Sequence, residues 1–248
     1  MVSTPSRVLD EIAANATPAP ITRLVDGWLA KCAPGLPFRR ANAVLPAVGA
    51  GADPARAAAV LDELAGWYRS QGLRLIIQVP STDPDLDALL AERGMEVEAP
   101  VDVLVATPFA GRSTAPDVEV SVSVGVDAVW AAEYGAVHGH DAVSRARVEA
   151  YGRMLADLGP SAVAAVARRD GELAGFGVRE RGWLGVFGMG TAPAHRRRGV
   201  ARAVLGALAE GGDSYLQVEV DNAPAQALYR GLGFTESHRY HYRVSAPA

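Results

Sequence analysis

Two stretches of the chain align without a gap at a single offset. QVPSTDPDLDALLAERGM, starting at Gln78, and QVEVDNAPAQALYRGLGF, starting at Gln217, keep Gln-Val, Ala-Leu and the closing glycine in register, so that Gln217 stands opposite Gln78 and Gly233 opposite Gly94. Each copy reads as strand, helix, strand, so the chain has to be built from a unit that can be made twice. The polar side chains do not survive in the first copy. Asn222 corresponds to Asp83, Tyr229 to Leu90, and Arg196 and Gly199 to Ala57 and Val60. The first copy keeps a scaffold and drops its chemistry.

The length of 248 residues accommodates two compact domains, and 49% hydrophobic residues supply cores for both. A net charge of -4 leaves no basic footprint for nucleic acid or an anionic membrane. No apolar run approaches the roughly 20 residues that span a bilayer, and the start is unlike a signal peptide. Cys32 is the single cysteine, which fits a reducing compartment and a cytoplasmic protein.

Apolar spacings of three and four predict helices over residues 1 to 35, then a strand from Phe38, a helix from about Pro54 to Ser70 and a strand from Leu73 to Val79. A helix over Asp83 to Glu92 and a strand at Val101 to Val105 close the first domain at residue 110. Residues 111–117, rich in Gly, Ser, Thr and Pro, read as a linker. The second domain, 118–248, opens with a strand at Val118 to Val122 and helices near 127 to 137 and 144 to 158. A hairpin follows, Ala162 to Arg168 and Leu173 to Arg179 about a turn at 169–171, and then a strand through Leu184 to Thr191.

The stretch MGTAPAHRRRGVARAVLGALAE places a strand end, a short loop with three arginines and a glycine, and a helix start at about Val200 in direct succession. Such a junction offers unpaired N–H groups and the positive end of a helix dipole to a phosphate or pyrophosphate. It is neither a P-loop nor a dinucleotide fingerprint. In the second repeat Asn222 ends a short strand and the following helix carries Ala225 and Tyr229 one turn apart. A phenol in a partly desolvated pocket suits proton donation to a leaving thiolate. His138-Gly139-His140-Asp141 lacks further ligands at a metal-binding spacing and reads as a polar loop. His238 and His241 fall on the final strand, where they could line an acceptor site.

Together these residues resemble the GNAT superfamily of N-acetyltransferases. Thr191 to Ala201 matches its pyrophosphate motif, with Pro193 three residues before Arg196, and Asn222, Ala225, Leu228, Tyr229, Gly233 and Phe234 match its second motif. The likeness covers about Val118 to Val244, and the front half is similar to the degenerate copy of tandem members such as the mycothiol synthases. It implies an α/β architecture of two GNAT-like domains, with mixed, mostly antiparallel sheets flanked by helices, the second carrying an acetyl-CoA site. The pantetheine would then run along Met189, Gly190 and Thr191, and the pyrophosphate would be wrapped by Arg196, Arg197, Arg198, Gly199, Val200 and Ala201. Asn222 and Ala225 would contact the cofactor, and Tyr229 would act as general acid while touching the cofactor as well. A primary amine, small-molecule or peptide, would attack the thioester directly. Several relatives carry a glutamate base where this chain has Gln217, so Glu219, two residues on and on the same strand face, is the candidate base. The remaining expectations are a monomer or homodimer, and, if the base is absent, a protein that binds acetyl-CoA without turnover.

Overall fold

The structure is a computed structural model that describes residues 6–36, 38–110, 118–138, 142–168, 173–209 and 211–247. Two compact units divide the chain. Unit 1 takes Met1–Val103, Val218–Asn222 and Ser237–Ala248, and unit 2 takes Leu104–Gln217 and Ala223–Glu236. This division is discontinuous in sequence, unlike the contiguous one expected from composition. The expected linker at 111–117 lies outside the described residues.

Unit 1 begins with α1 (Ser6–Asn15), β1 (Ile21–Val25) and β2 (Trp28–Cys32). The helical reading of residues 1 to 35 holds only for α1. Asp26 and Gly27 both take positive φ, 48° and 81°, and join Val25 to Trp28 in a two-residue turn. Asp-Gly at that spacing selects a tight hairpin whose twist matches its strands. The strand expected from Phe38 is also shorter than read. Arg39–Ala41 form a 3-10 turn, and only Val44–Leu45 extend as β3. Asn42 fixes that turn, its Oδ1 accepting from the Ala33 N–H at 2.8 Å and its Nδ2 donating to the Leu36 carbonyl at 2.7 Å.

Then come α2 (Pro54–Ser70), β4 (Ile76–Pro80), α3 (Pro84–Glu92) and β5 (Glu96–Ala106). Both helices start with an aspartate cap followed by proline: Asp53 Oδ1 accepts from the Arg56 N–H at 3.0 Å, and Asp83 Oδ1 from the Leu86 N–H at 3.1 Å. Leu61, Leu64 and Tyr68 of α2 pack with Ile77, Val79, Leu86 and Leu90 into one core.

Unit 2 is built from β6 (Glu119–Val124), α4 (Ala128–His138), α5 (Ala142–Ala156), β7 (Ala162–Arg168), β8 (Leu173–Glu180), β9 (Trp183–Thr191), α6 (Val200–Ala209), β10 (Asp213–Glu219) as far as Gln217, and α7 (Ala223–Arg230). β6 to β9 form an antiparallel meander, and β10 joins β9 in parallel. Trp130 and Tyr134 of α4 stack and meet Phe176 on one face, with Trp130 to Phe176 at 5.6 Å. Val204 of α6 lies over Gly175 on the other. Alternation along β8 therefore puts α4 and α6 on opposite faces. The turn at 169–171 and residues 139–141 are outside the described set.

The final strand is β11 (Thr235–Val244), which pairs antiparallel with β4 from Tyr240↔Pro80 to Val244↔Ile76. Unit 1 thus reads β1-β2-β3-β4-β11-β5 across its sheet. The second repeat's last strand completes the unit built from the first. The architecture is α/β, with mixed, mostly antiparallel sheets and flanking helices.

The repeat is visible in the fold. α3 begins at Pro84 and α7 at Ala223, β5 at Glu96 and β11 at Thr235, each pair at the same offset that separates Gln78 from Gln217. The parallel pair Val44↔Ile77 has its counterpart in Val186↔Leu216. The two copies part company at the arginine loop: α2 already runs as helix from Pro54, burying Ala57 and Val60, where the second repeat has the loop that leads into Val200.

Candidate active site

β9 carries a bulge just where the site was expected. Ala174 pairs with Gly190 and Phe176 with Phe187, so Gly188 and Met189 together oppose the single residue Gly175. A bulge leaves its extra residue out of the ladder and bends the strand. The Met189 side chain settles over Gly175, where a Cβ would come within 2.5 Å of its Sδ and push it aside. On the other edge of β9 the parallel ladder with β10 runs from Trp183–Asp213 to Val186–Leu216 and stops. Phe187 to Thr191 continue past the last paired residue, and Met189, Gly190 and Thr191 are half-buried along that free edge.

The chain then turns through the 3-10 segment Pro193–His195 into the arginine loop. Arg196 folds back, its Nε donating to the Thr191 carbonyl at 3.2 Å, which ties the loop to the strand end. Arg197 and Gly199 adopt left-handed φ of 61° and 80°. These positive values curl the backbone so that α6 can begin at Val200, with the Gly199 carbonyl accepting from the Ala203 N–H at 3.0 Å. The first-turn amides of α6 have no intrahelical acceptor, and Arg196, Arg197, Arg198 and Gly199 are exposed while Val200 is buried. An exposed, cationic helix start directly after a free strand edge fits a pyrophosphate with an amide-bearing tail.

Tyr229 is buried on α7, packed edge-on against Phe234 at 6.0 Å. Desolvation pushes its phenol up to about 12, so the group keeps its proton throughout the neutral range. Ala225 sits one turn earlier, half-buried. All of these residues belong to unit 2. Glu219 and Asn222 fall in the segment grouped with unit 1. Asn222 is exposed at the turn after β10, its N–H donating to the Glu219 carbonyl at 3.1 Å. Glu219, the candidate base, lies 3.6 Å from Arg39, whose guanidinium also holds Glu98 at 3.2 Å. No sequence signal marks this arginine, because it comes from the opposite end of the chain.

His238 and His241 are not an acceptor pair. Three residues apart on a strand, they face opposite ways, His238 onto Asp10 at 3.2 Å and His241 onto Asp87 at 2.7 Å, all within unit 1. No cluster of three metal-ligating side chains occurs among the described residues. Among the same residues no helix is long and apolar enough to cross a membrane. Gln217, which the sequence marks only as unable to act as a base, has an unusual environment: its Oε1 is buried without a hydrogen-bond partner among the described residues.

The first repeat uses the equivalent ground differently. Asp83, the counterpart of Asn222, spends its second carboxylate oxygen on the Gly51 N–H at 3.2 Å. A protein carboxylate takes backbone donors beside the start of α2, and no arginine loop is present there.

The family model described as "Probable histone acetyltransferase Rv0428c C-terminal" matches residues 4–243. The chain belongs to that acetyltransferase family. It is 40% identical over 90 residues to the N-alpha-acetyltransferase RimI of Mycobacterium tuberculosis, a match that spans 32% of this chain and 57% of that protein's length. Among solved structures, a GCN5-related N-acetyltransferase from Kribbella flavida superposes with a TM-score of 0.72 at 15% identity, covering 100% of this chain and 98% of its own. A tandem GNAT protein from the clavulanic acid biosynthesis pathway does so at 0.69 and 16%, covering 100% and 90%. The GNAT fold is thus shared over the full length of this family member.

Proposed function

We propose that this chain is an N-acetyltransferase that moves an acetyl group from acetyl-CoA to a primary amine, with the second repeat as its working half. The observation that carries the reading is the order of features along β9 and α6. A bulge, a strand edge that its parallel neighbour leaves after Val186, a loop with two left-handed residues and a cationic helix start follow one another without interruption.

In this reading Met189, Gly190 and Thr191 hold the pantetheine by their free backbone edge, while Arg196 to Ala201 hold the pyrophosphate through amides and charge. Ala225 gives the small surface that the cofactor needs beside Tyr229, and Asn222 anchors the arm at the end of β10. Acetyl-CoA supplies an activated acyl carbon and a thiolate leaving group. Tyr229 holds a proton at its Oη for that thiolate, which its desolvated phenol retains at neutral pH. An amide N–H of the bulge stabilises negative charge at the carbonyl oxygen. Glu219 serves as base once its pair with Arg39 opens. The protein works in the cytoplasm, as a monomer or homodimer.

Thermal melting with and without millimolar coenzyme A tests cofactor binding, since a ligand of the native state raises the midpoint. Release of free thiol across an amine panel tests turnover. The engagement of Glu219 by Arg39 favours one other reading, a protein that binds acetyl-CoA without reacting it. A raised midpoint with no thiol release on any amine would select that reading.

A further inference from the structure

We propose that Gln217 holds the acceptor, its Oε1 accepting a hydrogen bond from the amine nitrogen; this rests on the acetyltransferase reading above. The oxygen is buried and has no donor among the described residues. A buried carbonyl left unpaired is costly, and native proteins keep such groups where a ligand or water completes them. The residue as a whole is only half-buried. Rotation about its broad terminal torsion is enough to present the oxygen to a ligand.

Its place on the strand fits. Gln217 is the first residue after Leu216, the last that pairs with β9, so it stands where the two strands cease to be joined. Alternation puts it on the face of Tyr215, opposite Leu216 and Val218. Tyr215 packs on Phe187 at 6.0 Å, and Phe187 on Phe176 at 5.5 Å, which is the face covered by α4. The phosphate-binding helix start lies on the other face. Gln217 is therefore on the side left to the acceptor.

The first repeat supplies an independent comparison. Gln78, its counterpart, lines a cavity of about 440 Å³ beside the parallel pair of β3 and β4, bounded by Asp10, Pro46, Gly49 and Asp83. Its amide finds a partner there, Nε2 donating to Asp10 of α1 at 3.1 Å. Gln78 thus lines its cleft and takes a polar partner there. Unit 1 provides that partner from its own helix; the Gln217 oxygen takes it from the substrate.

A carboxamide oxygen removes no proton, so it holds the amine and leaves deprotonation to another group. A primary amine has an N–H to spare. The C–N bond forms as the C–S bond breaks and coenzyme A leaves with the Tyr229 proton; one amine proton passes to Glu219 and through water restores that phenol, and the N–H held by Gln217 remains as the N–H of the product amide. A secondary amine has to give up that N–H on forming its amide, so the site selects primary amines.

The test uses the full chain with benzylamine and N-methylbenzylamine as probes, and compares Gln217→Met with Gln217→Glu. Loss of one hydrogen bond raises KM for benzylamine about tenfold in Gln217→Met and abolishes the preference over N-methylbenzylamine. The KM for acetyl-CoA stays put, and Tm holds or rises, because an unsatisfied oxygen has been replaced by a thioether. Gln217→Glu keeps an acceptor and binds benzylamine at least as well. Calorimetric binding of benzylamine to the coenzyme A complex gives the same comparison without turnover. Equal affinity in wild type and Gln217→Met, no binding by wild type, or a fall in Tm with both KM values raised together overturns the assignment. Failure of acetyl-CoA to raise the wild-type Tm is separate, and speaks against the cofactor reading.

Discussion

Arg243 grips Asp87 with two hydrogen bonds, Nε to Oδ1 at 2.7 Å and Nη2 to Oδ2 at 3.0 Å, and so fastens the last strand of the second repeat to a helix of the first. Its remaining Nη1 donates to the Met95 carbonyl at 2.8 Å, and His241 joins on Asp87 Oδ1. The Arg243 guanidinium first, and then His241, hold the Asp87 carboxyl below the usual range against the opposing push of burial. A depressed carboxylate stabilises the fold above its unfolded value, near 4, and that contribution is lost as pH falls through the folded value. Asp87→Ala should cost about 1–3 kcal/mol at pH 7, because it strands a mostly buried guanidinium. Urea melts at pH 7 and pH 3 check this; a cost as large at pH 3 would contradict it.

Lys31 is sealed in unit 1 with its Nζ donating to the Ala14 carbonyl at 2.9 Å. Burial, aided by the charge of Arg40, brings its ammonium down to about 7 from an ordinary 10.5. Between those two pH values the unfolded chain binds more protons, so stability should rise with pH across that window, by about 1.4 kcal/mol per pKa unit of difference. Lys31→Met should raise Tm at pH 7 and flatten the rise. A Tm that falls with pH from 7 to 9.5 in the wild type and not in the variant would count against it.

Tyr229→Phe should lower kcat about 100-fold while leaving the melting shift given by coenzyme A intact, since the proposed mechanism uses the phenol as acid while its ring still packs on Phe234. The sign of the pH effect follows from its raised value, about 12. An acid works while protonated, so no loss of rate from this group is expected up to pH 10. Full activity in the phenylalanine variant would remove Tyr229 from the mechanism.

Gly199→Ala should weaken coenzyme A binding about tenfold, because a Cβ at φ 80° costs about 1–2 kcal/mol in the loop that leads into α6. Arg196→Ala should do the same by releasing the loop from the Thr191 carbonyl. Isothermal titration measures both; unaltered affinity in the two variants would place the pyrophosphate elsewhere.

Local order was legible where one element carried its own signals. Asp53-Pro54 and Asp83-Pro84 mark the starts of α2 and α3 as the structure has them. The Asp26-Gly27 turn was a signal of the same kind that helical spacing concealed, because β1 is mostly exposed and its apolar residues do not report a buried face. Long-range relations were not legible. Nothing in residues 235 to 244 says that they pair with residues 76 to 80, and nothing beside Glu219 announces Arg39. The arginine loop and α7 could be read because each motif is continuous in sequence, whereas the pair of Glu219 with Arg39 joins residues far apart in the chain.

The exchange of β11 into unit 1 makes the order of synthesis matter. A ribosome that has released everything up to residue 110 has delivered β4 without the strand that will cover its edge. The nascent half must wait, with that edge open to chaperones or to another chain, until residue 244 has left the exit tunnel. A premature stop before β11 would thus unravel the half translated first, although every residue encoding the core of α2 and β4 had been made.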